Sequence, residues 1–200
     1  MEEPLHWYAL KVFYNKVFDI EDLLAGMGVE SYIPVQRIQL RGEEHMRVAR
    51  RLATPDETRS DSKYIRIGPV IYRRQPVVAS LLFARTTQEG IRAVQKAVEG
   101  KGFVYMSTDW KRPSVIPDKQ MAIFRMVTSS GVDGLEFFSD DDMTRYKQGD
   151  KVRVLEGPLK GAEGYIRRIR RDRRLLVAIE GFIAVATSFI PSQFLEKVTD

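Results

Sequence analysis

The first 36 residues alternate between two hydrophobic periodicities, which predict a strand, a helix and a second strand. Residues 7–12 (WYALKV) form an aromatic and aliphatic run of the kind found in buried strands. A stripe with helical spacing follows, formed by Val17, Ile20, Leu24 and Met27. We predict that Asn15 caps this helix and that Gly28 ends it. Residues 29–35 (VESYIPV) are the second predicted strand, so the order is β-α-β.

The same kind of pattern returns between residues 76 and 127. The continuous apolar run 76–84 (PVVASLLFA) predicts a strand. Thr86 and Glu89 form a capping box before a helix that ends near Gly100. Residues 103–106 predict another strand, and a last helix begins at Pro117, with an apolar face of Met121, Phe124 and Val127. The pattern indicates an α+β fold with helices on a mainly antiparallel sheet.

Residues 37–74 interrupt this alternation with a basic stretch that contains seven arginines before residue 70. We predict an extended, partly mobile insertion with a hairpin or a short helix around residues 43–53. A charged run of this kind is usually a solvated face, and we adopt that interpretation.

The C-terminal part has the short alternating runs of an all-β domain. Strands are predicted at 151–155, 162–169, 174–179 and 183–189, with a short one near 195–198. Ile166 and Ile169 share a face only if a bulge separates them, so the register there stays open. Residues 129–146 are rich in Ser, Gly and acidic residues and predict a linker. The predicted domains are therefore 1–128 and 147–200.

Composition excludes several classes of function. The chain has no cysteine, hence no disulfide and no thiolate nucleophile. His6 and His45 are far apart in sequence, and Asp140 to Asp142 lack the alternating spacing of a cation loop, so we expect no metal and no cofactor. No phosphate-binding or nucleophile motif is present, so we expect no enzyme. Without a signal peptide or a long apolar segment, we expect a cytoplasmic protein that does not bind membranes.

The strongest charge feature is a run of six arginines between residues 167 and 174, at the predicted tip between the second and third C-terminal strands. Arg170, Arg171 and Arg173 are our candidate contacts to nucleic-acid phosphates. Only Tyr165 lies nearby as an aromatic for base stacking, so the run favours phosphate contact and does not support reading of a base sequence.

Residues 149–166 (GDKVRVLEGPLKGAEGYI) combine alternating valines with a tight turn and spaced glycines. This segment resembles the KOW motif that opens the SH3-like barrel of NusG-type transcription factors. A generic hairpin is the alternative interpretation, and ribosomal proteins carry KOW motifs too. The motif positions are Gly149, Val152, Val154, Gly157, Pro158, Gly161 and Gly164.

The N-terminal part resembles the NusG N-terminal (NGN) domain in three segments. Trp7 and Tyr8 are similar to the opening strand of that domain, residues 73–83 (RRQPVVASLLF) to the segment leading into its central strand, and residues 115–121 (VIPDKQM) to the start of its last helix. The resemblance spans about residues 5–127 and 147–198. The usual Phe-Pro-Gly-Tyr is replaced by Val78 to Leu81, and the basic insertion is similar to specialised paralogues such as the capsular-operon antiterminators of Bacteroides.

The resemblance implies a factor that binds the clamp helices of the largest RNA polymerase subunit and promotes processive elongation or antitermination. By position, the groove for those helices would be lined by Trp7, Val78, Leu81 and Phe83, although the same residues could be ordinary core. Tyr14 and Lys16 would contact the non-template DNA strand. The KOW domain would recruit a ribosomal protein or the termination factor Rho, and its arginines could contact nascent RNA. The alternative function is a KOW-type RNA-binding or ribosome-associated protein.

Overall fold

The computed structural model describes residues 3–53, 62–108, 110–132, 134–139, 149–169, 172–179 and 181–198. The chain divides into two compact units, Met1–Val115 and Ile116–Asp200. In the described ranges, none of the helices is both long and apolar enough to cross a membrane.

The first unit contains the predicted α+β arrangement. Its elements are, in chain order, β1 (His6–Val12), α1 (Val17–Gly26), β2 (Glu30–Tyr32), β3 (Val35–Gln39), α2 (Gly42–Ala53), β4 (Tyr64–Ile67), β5 (Val70–Pro76), β6 (Leu81–Thr86), α3 (Gln88–Ala97), β7 (Gly102–Val104) and β8 (Val115–Ile116). The main sheet has the order β2-β6-β1-β7, and β8 also pairs with β1. The pairings of β1 with β6 and β7, and of β2 with β6, are antiparallel.

One face of the main sheet forms the core with α1 and α3. Tyr8, Leu10 and Leu82 are at most 1% exposed and belong to one apolar cluster. The helices contribute Ile20 and Leu24 from α1, together with Ile91 and Val94 from α3. Burial of each such side chain stabilises the fold by roughly 1.5–3 kcal/mol, so this face accounts for the helical stripes seen in the sequence.

Two predicted helix caps are wrong by one residue. Lys16 precedes α1 in the cap position, whereas Asn15 has φ +56° and lies in the preceding turn. Thr87 caps α3, since its hydroxyl accepts a hydrogen bond from the Gly90 amide at 2.9 Å. Thr86 is buried at the end of β6, and the strand therefore continues one residue further than the capping-box pattern predicted.

The basic stretch is folded to a greater extent than we predicted. We call β3, α2, β4 and β5 the insertion subdomain; its sheet has the order β3-β5-β4. Leu40, Val48 and Ile71 are 3%, 2% and 0% exposed and form a separate small core. The helix predicted around 43–53 is confirmed as α2, and the expectation of a mainly extended segment is wrong because α2 covers one face of this sheet. Residues 54–61 lie outside the described part.

The single strand predicted over residues 76–84 is also wrong. The chain leaves β5 after Pro76, turns through residues 77–80 and enters β6 at Leu81. The Leu81 amide donates to the Val78 carbonyl at 3.2 Å in this turn. The reason is topological, because β5 belongs to the insertion sheet and β6 to the main sheet.

The second unit contains all five predicted C-terminal strands and two elements placed elsewhere by the sequence. Its elements are α4 (Asp118–Ser129), β9 (Glu136–Ser139), β10 (Lys151–Val154), β11 (Glu163–Ile169), β12 (Asp172–Ile179), β13 (Ile183–Phe189), a 3-10 turn (Ser192–Phe194) and β14 (Leu195–Lys197). The sheet order is β14-β10-β11-β12-β13-β9, with antiparallel pairing throughout. This all-β arrangement is consistent with the predicted SH3-like barrel.

The helix predicted to end the N-terminal domain packs on β12 and β13 and groups with the second unit. Its predicted apolar residues Met121, Phe124 and Val127 are each 0% exposed. The two compact units divide between residues 115 and 116, and the predicted domain end at residue 128 stays a prediction.

Part of the predicted linker is a strand. Residues 136–139 form β9 and pair with β13, with Phe138 opposite Ala184. Phe138 packs against an apolar cluster that includes Ile169 and Leu176, and Glu136 forms an ion pair with Arg174 at 2.7 Å. These contacts explain why the acidic, Ser-rich composition was misleading there. Residues 140–148, including Asp140 to Asp142, lie outside the described part.

The uncertain register of β11 is resolved without a bulge between its isoleucines. Ile166 pairs with Leu175 and Ile169 with Asp172 in an uninterrupted ladder, so the two isoleucines point to opposite faces. The register shift lies on the other side of β12, between Arg174 and Leu176, where this strand pairs with β13.

Candidate functional site

The main sheet has a second face, opposite the core formed with α1 and α3. The register of β1 with β6 places Trp7 opposite Arg85, Ala9 opposite Phe83 and Lys11 opposite Leu81. Directly paired residues of antiparallel strands point to the same side of a sheet. The second face is therefore formed by these six residues, and Tyr32 of β2 joins it opposite Phe83.

Three of the four predicted groove residues meet on this second face, and all three are buried. Trp7, Leu81 and Phe83 are 4%, 5% and 0% exposed. Val78 is half-buried and lies in the turn before β6, outside the strand that we predicted for it. The structure thus brings Trp7, Leu81 and Phe83 together on one side of a sheet and places Val78 in the turn that precedes β6.

An aromatic patch that the sequence interpretation missed continues from this sheet. Phe13, Tyr14, Phe103 and Tyr105 form a chain of ring contacts with centroid distances of 6.2, 6.0 and 5.4 Å. Tyr14 is 82% exposed, Phe103 42% and Phe13 37%. Phe103 pairs with Lys11, so it lies on the second face. The alternation of Phe103 and Tyr105 was a usable sequence signal, but their proximity to Phe13 depends on strand pairing.

Burial also changes the chemistry of one hydroxyl in the aromatic patch. The pKa of Tyr105 is raised above its ordinary value because burial disfavours the charged phenolate. An ordinary tyrosine is already neutral at physiological pH, and the raised pKa keeps Tyr105 neutral further into the alkaline range.

The two predicted DNA contacts lie at the turn between β1 and α1. Tyr14 and Lys16 are both exposed, and Tyr14 has the uncommon φ of +57°. The Lys16 amide donates to the Phe13 carbonyl at 3.3 Å and closes the turn. The backbone therefore presents the Tyr14 ring to solvent beside a lysine, which is an arrangement able to contact a base and a phosphate.

The described part of the arginine run lies at the end of β11 and the start of β12. Arg170 and Arg171 lie outside the described residues. Arg173 is exposed and pairs across the strands with Arg168, which is also exposed. Like charges directly opposite each other in a sheet repel, and an anion between them would relieve this repulsion. Arg174 differs from them because its guanidinium bonds Glu136.

The predicted KOW positions have the backbone roles that their glycines suggested. A Cβ atom on Gly149 would collide with the Ile166 carbonyl oxygen, and one on Gly164 with the Leu176 carbonyl oxygen. Gly157 and Gly161 have φ of +85° and +87° on either side of the turn that contains Pro158. The remaining motif residues, Val152 and Val154, are 5% and 2% exposed.

An ionic cluster joins α4 to the C-terminal sheet. The Glu163 carboxylate accepts hydrogen bonds from Lys119 of α4 and from Arg153 of β10, each at 2.8 Å. These two partners, Lys119 first, lower the pKa of Glu163 to about 2. The carboxylate is thus ionised throughout the physiological range, and it bridges a helix and two strands.

Within the described ranges, no three His, Asp or Glu side chains lie close enough together to hold a metal ion. His6 makes an edge contact with Tyr8, with the ring centroids 6.5 Å apart, and His45 is 3.3 Å from the Pro69 carbonyl oxygen. The two histidines therefore have separate structural surroundings.

Comparison with known proteins identifies the family of this chain. No curated protein matches this sequence. Among solved structures, one described as "Domain interaction in Thermotoga maritima NusG" is similar, with 16% identity, 98% of each chain covered and a TM-score of 0.41. A family model described as transcription termination factor NusG matches residues 5–125, well over half of the 200 residues, and the chain therefore belongs to the NusG family of transcription factors.

Proposed function

We propose that this chain is a non-enzymatic elongation and antitermination factor that binds RNA polymerase through its first unit. Family membership supports the general role, and the arrangement of aromatic residues supports the mode of binding. The observation that carries the proposal is the second face of the main sheet, where Trp7, Leu81 and Phe83 meet beside the exposed aromatic patch. An apolar, aromatic surface of this kind suits the face of a coiled coil such as the clamp helices of the largest subunit.

The burial of three groove residues changes which part of the interface is tested first. Trp7, Val78, Leu81 and Phe83 remain our proposed groove. Because three of them are at most 5% exposed, we extend the interface to Phe13 and Phe103, whose partly exposed rings a partner can reach directly. Replacing Leu81 and Phe83 with aspartate would bury two charges and unfold the unit, so that variant does not test binding.

The experiment is a pull-down of bacterial RNA polymerase by the full chain, with the variant Phe13→Ser plus Phe103→Ser. Both side chains are partly exposed, so the fold should survive their truncation. Loss of two aromatic contacts should weaken retention of polymerase at least tenfold, because aromatic anchors dominate interface energies. The matched control is Phe189→Ser, which removes a phenylalanine that is 60% exposed in the second unit. Equal retention by all three proteins would contradict the proposed interface.

We further propose that Tyr14 and Lys16 contact the non-template DNA strand of the bound polymerase. Their exposure at one turn supports this role. The variant Tyr14→Ala plus Lys16→Ala should bind polymerase core normally and bind an elongation complex with an open bubble more weakly. Unchanged affinity for the bubble-containing complex would remove these two residues from the proposal.

For the second unit, we propose recruitment of a further partner, with a ribosomal protein and Rho as the implied classes. The alternative function, RNA binding by this unit, is favoured by one observation, the opposed exposed pair Arg168 and Arg173. Arg170 and Arg171 stay in that prediction with Arg173. If RNA is the ligand, Arg168→Glu plus Arg173→Glu should abolish binding of a single-stranded RNA, while polymerase retention stays unchanged. We also propose that this chain acts on one particular operon, as the specialised paralogues do.

A further inference from the structure

We propose that the insertion subdomain is a separate binding site for double-stranded DNA, with the exposed side of α2 lying against the duplex. This inference goes beyond the polymerase proposal, because it concerns a different surface and needs no polymerase. The first observation is the net charge of this part of the sequence. Residues 35–76 contain ten Lys and Arg against five Asp and Glu, a net charge of +5 that equals the net charge of the whole chain.

Some of the basic side chains have contacts that hold the subdomain together, and others are exposed. Arg74 makes two hydrogen bonds to Glu21 of α1, at 2.6 and 2.8 Å, and its guanidinium lies 5.0 Å from the Phe18 ring centroid. Arg73 pairs with Glu44 at 3.3 Å. The Arg74 contacts fix the subdomain on α1, and the Arg73 pair joins β5 to α2. A different set of basic residues is exposed, namely Arg37, Arg41, Arg47, Arg50, Lys63 and Arg66.

Helix α2 carries part of this set of exposed basic residues, and contacts near its two ends hold it in place. His45 lies at the Pro69 carbonyl oxygen and Arg51 lies over the Tyr64 ring at 5.4 Å, so the helix runs along β4 and is held near both ends. Its inward residue Val48 is 2% exposed. Arg47 and Arg50, three positions apart, lie together on the exposed side. The exposed acid of the helix is Glu43, one turn before Arg47.

The residues around these arginines favour a paired nucleic acid over a single strand. Proteins that hold single strands stack the bases on exposed aromatic rings. In the described part of the insertion subdomain, the aromatic residues are Tyr64, under Arg51, and Tyr72, and both are half-buried. The rings of the aromatic patch lie outside this subdomain. Exposed arginines with no exposed aromatic ring in the described part of the same subdomain suit phosphate contacts along a duplex.

Because Arg47 and Arg50 lie on an α-helix, a DNA duplex is favoured over an RNA duplex. The major groove of B-form DNA is about 12 Å wide and admits an α-helix, whereas the major groove of an RNA duplex is too narrow for one. With Arg47, Arg50 and neighbouring arginines at the phosphates, binding should depend steeply on salt and little on base sequence.

The test is fluorescence anisotropy of a labelled 30-base-pair DNA duplex with the full chain, measured without polymerase over a range of salt concentrations. The variant Arg47→Glu plus Arg50→Glu should raise Kd at least tenfold at low salt. The variant Arg47→Gln plus Arg50→Gln removes two phosphate contacts while keeping good helix formers, so the slope of log K against log salt should become shallower by about 1.8. Circular dichroism checks that both variants are folded.

The matched control is Arg92→Glu plus Lys96→Glu, which reverses two exposed charges on α3 and changes the net charge by the same amount. Its Kd should stay within about threefold of the wild type. An equal loss in this control would show that net charge alone drives binding and would overturn the site. Unchanged affinity in the Gln variant would do the same.

Two further ligands complete the experiment. A single-stranded DNA and an RNA duplex of the same length should bind at least fivefold more weakly than the DNA duplex. Equal or tighter binding of either one would overturn the assignment to double-stranded DNA. Because polymerase is absent, none of these outcomes depends on the proposed polymerase interface.

Discussion

At the scale of single residues, the KOW glycines show how spacing in a sequence reports close backbone approach. Gly164 pairs with Val152 in the β10–β11 ladder, and its Cα lies against the Leu176 carbonyl of the next strand. Packing at this position therefore requires a residue without a side chain. The sequence predicted a need for small residues here, and the neighbouring strand that imposes it became visible only in the structure.

The substitution Gly164→Ala should destabilise the second unit by about 1–3 kcal/mol, because the added Cβ would overpack against the Leu176 backbone. Chemical denaturation monitored by circular dichroism measures the change. The control is Gly26→Ala at the end of α1, where a Cβ would meet no atom within 4 Å. That variant should be neutral or more stable by about 0.5–1 kcal/mol. Similar stability of Gly164→Ala and wild type would refute the close approach.

The Glu163 cluster predicts a pH dependence of stability. The folded-state pKa of Glu163 is lowered to about 2 from its ordinary 4.5, so the carboxylate binds its proton more weakly in the folded protein than in the unfolded one. Its contribution to the free energy of unfolding is therefore complete above about pH 4.5 and is lost as the pH falls toward 2.

Denaturation of wild type and Glu163→Gln between pH 2 and pH 7 tests this expectation. Wild type should be the more stable protein at pH 7, and the difference should shrink progressively below pH 4.5. Glu156→Gln, in an exposed turn, is the control and should follow the wild type. A difference that stays constant with pH would mean that the cluster does not hold the charged carboxylate as described.

At the scale of elements, α4 shows what local sequence reports about a helix and what it leaves open. Its start after Pro117 and its apolar stripe were predictable from local spacing. Periodicity reports which side of a helix is apolar, but it carries no information about which sheet covers that side. In the structure that sheet includes β12 and β13.

This packing predicts the stability of two fragments of the second unit. Residues 116–200 should unfold at a higher temperature than residues 130–200, because the longer fragment keeps Met121, Phe124 and Val127 buried on its sheet. Loss of several kcal/mol of apolar burial should lower Tm by at least about 5 °C in a unit of this size. Phe124→Ala in the longer fragment should give an intermediate Tm. Equal Tm values for the two fragments would place α4 with the first unit.

At the scale of the whole molecule, the basic stretch and the second face of the main sheet carry the functional hypotheses. Charge was visible in the sequence, yet only the structure separates Arg74, which holds the insertion subdomain on α1, from Arg47 and Arg50, which face solvent. Likewise, Trp7 and Phe83 were recognisable as large apolar residues of strands. Their common face depends on the antiparallel register of β1 with β6, which local sequence does not encode.

The sequence by itself determined the order of most elements, the KOW glycines and the resemblance to the NusG family, because these depend on local periodicity and on residues with special backbone requirements. It failed where a choice depended on distant partners. Examples are the turn between Pro76 and Leu81, the strand at 136–139, the packing of α4 and the proximity of Phe13 to Phe103. Tertiary structure decided these points, since an apolar side chain is stabilised by any surface that excludes water, and only the complete fold selects which surface that is.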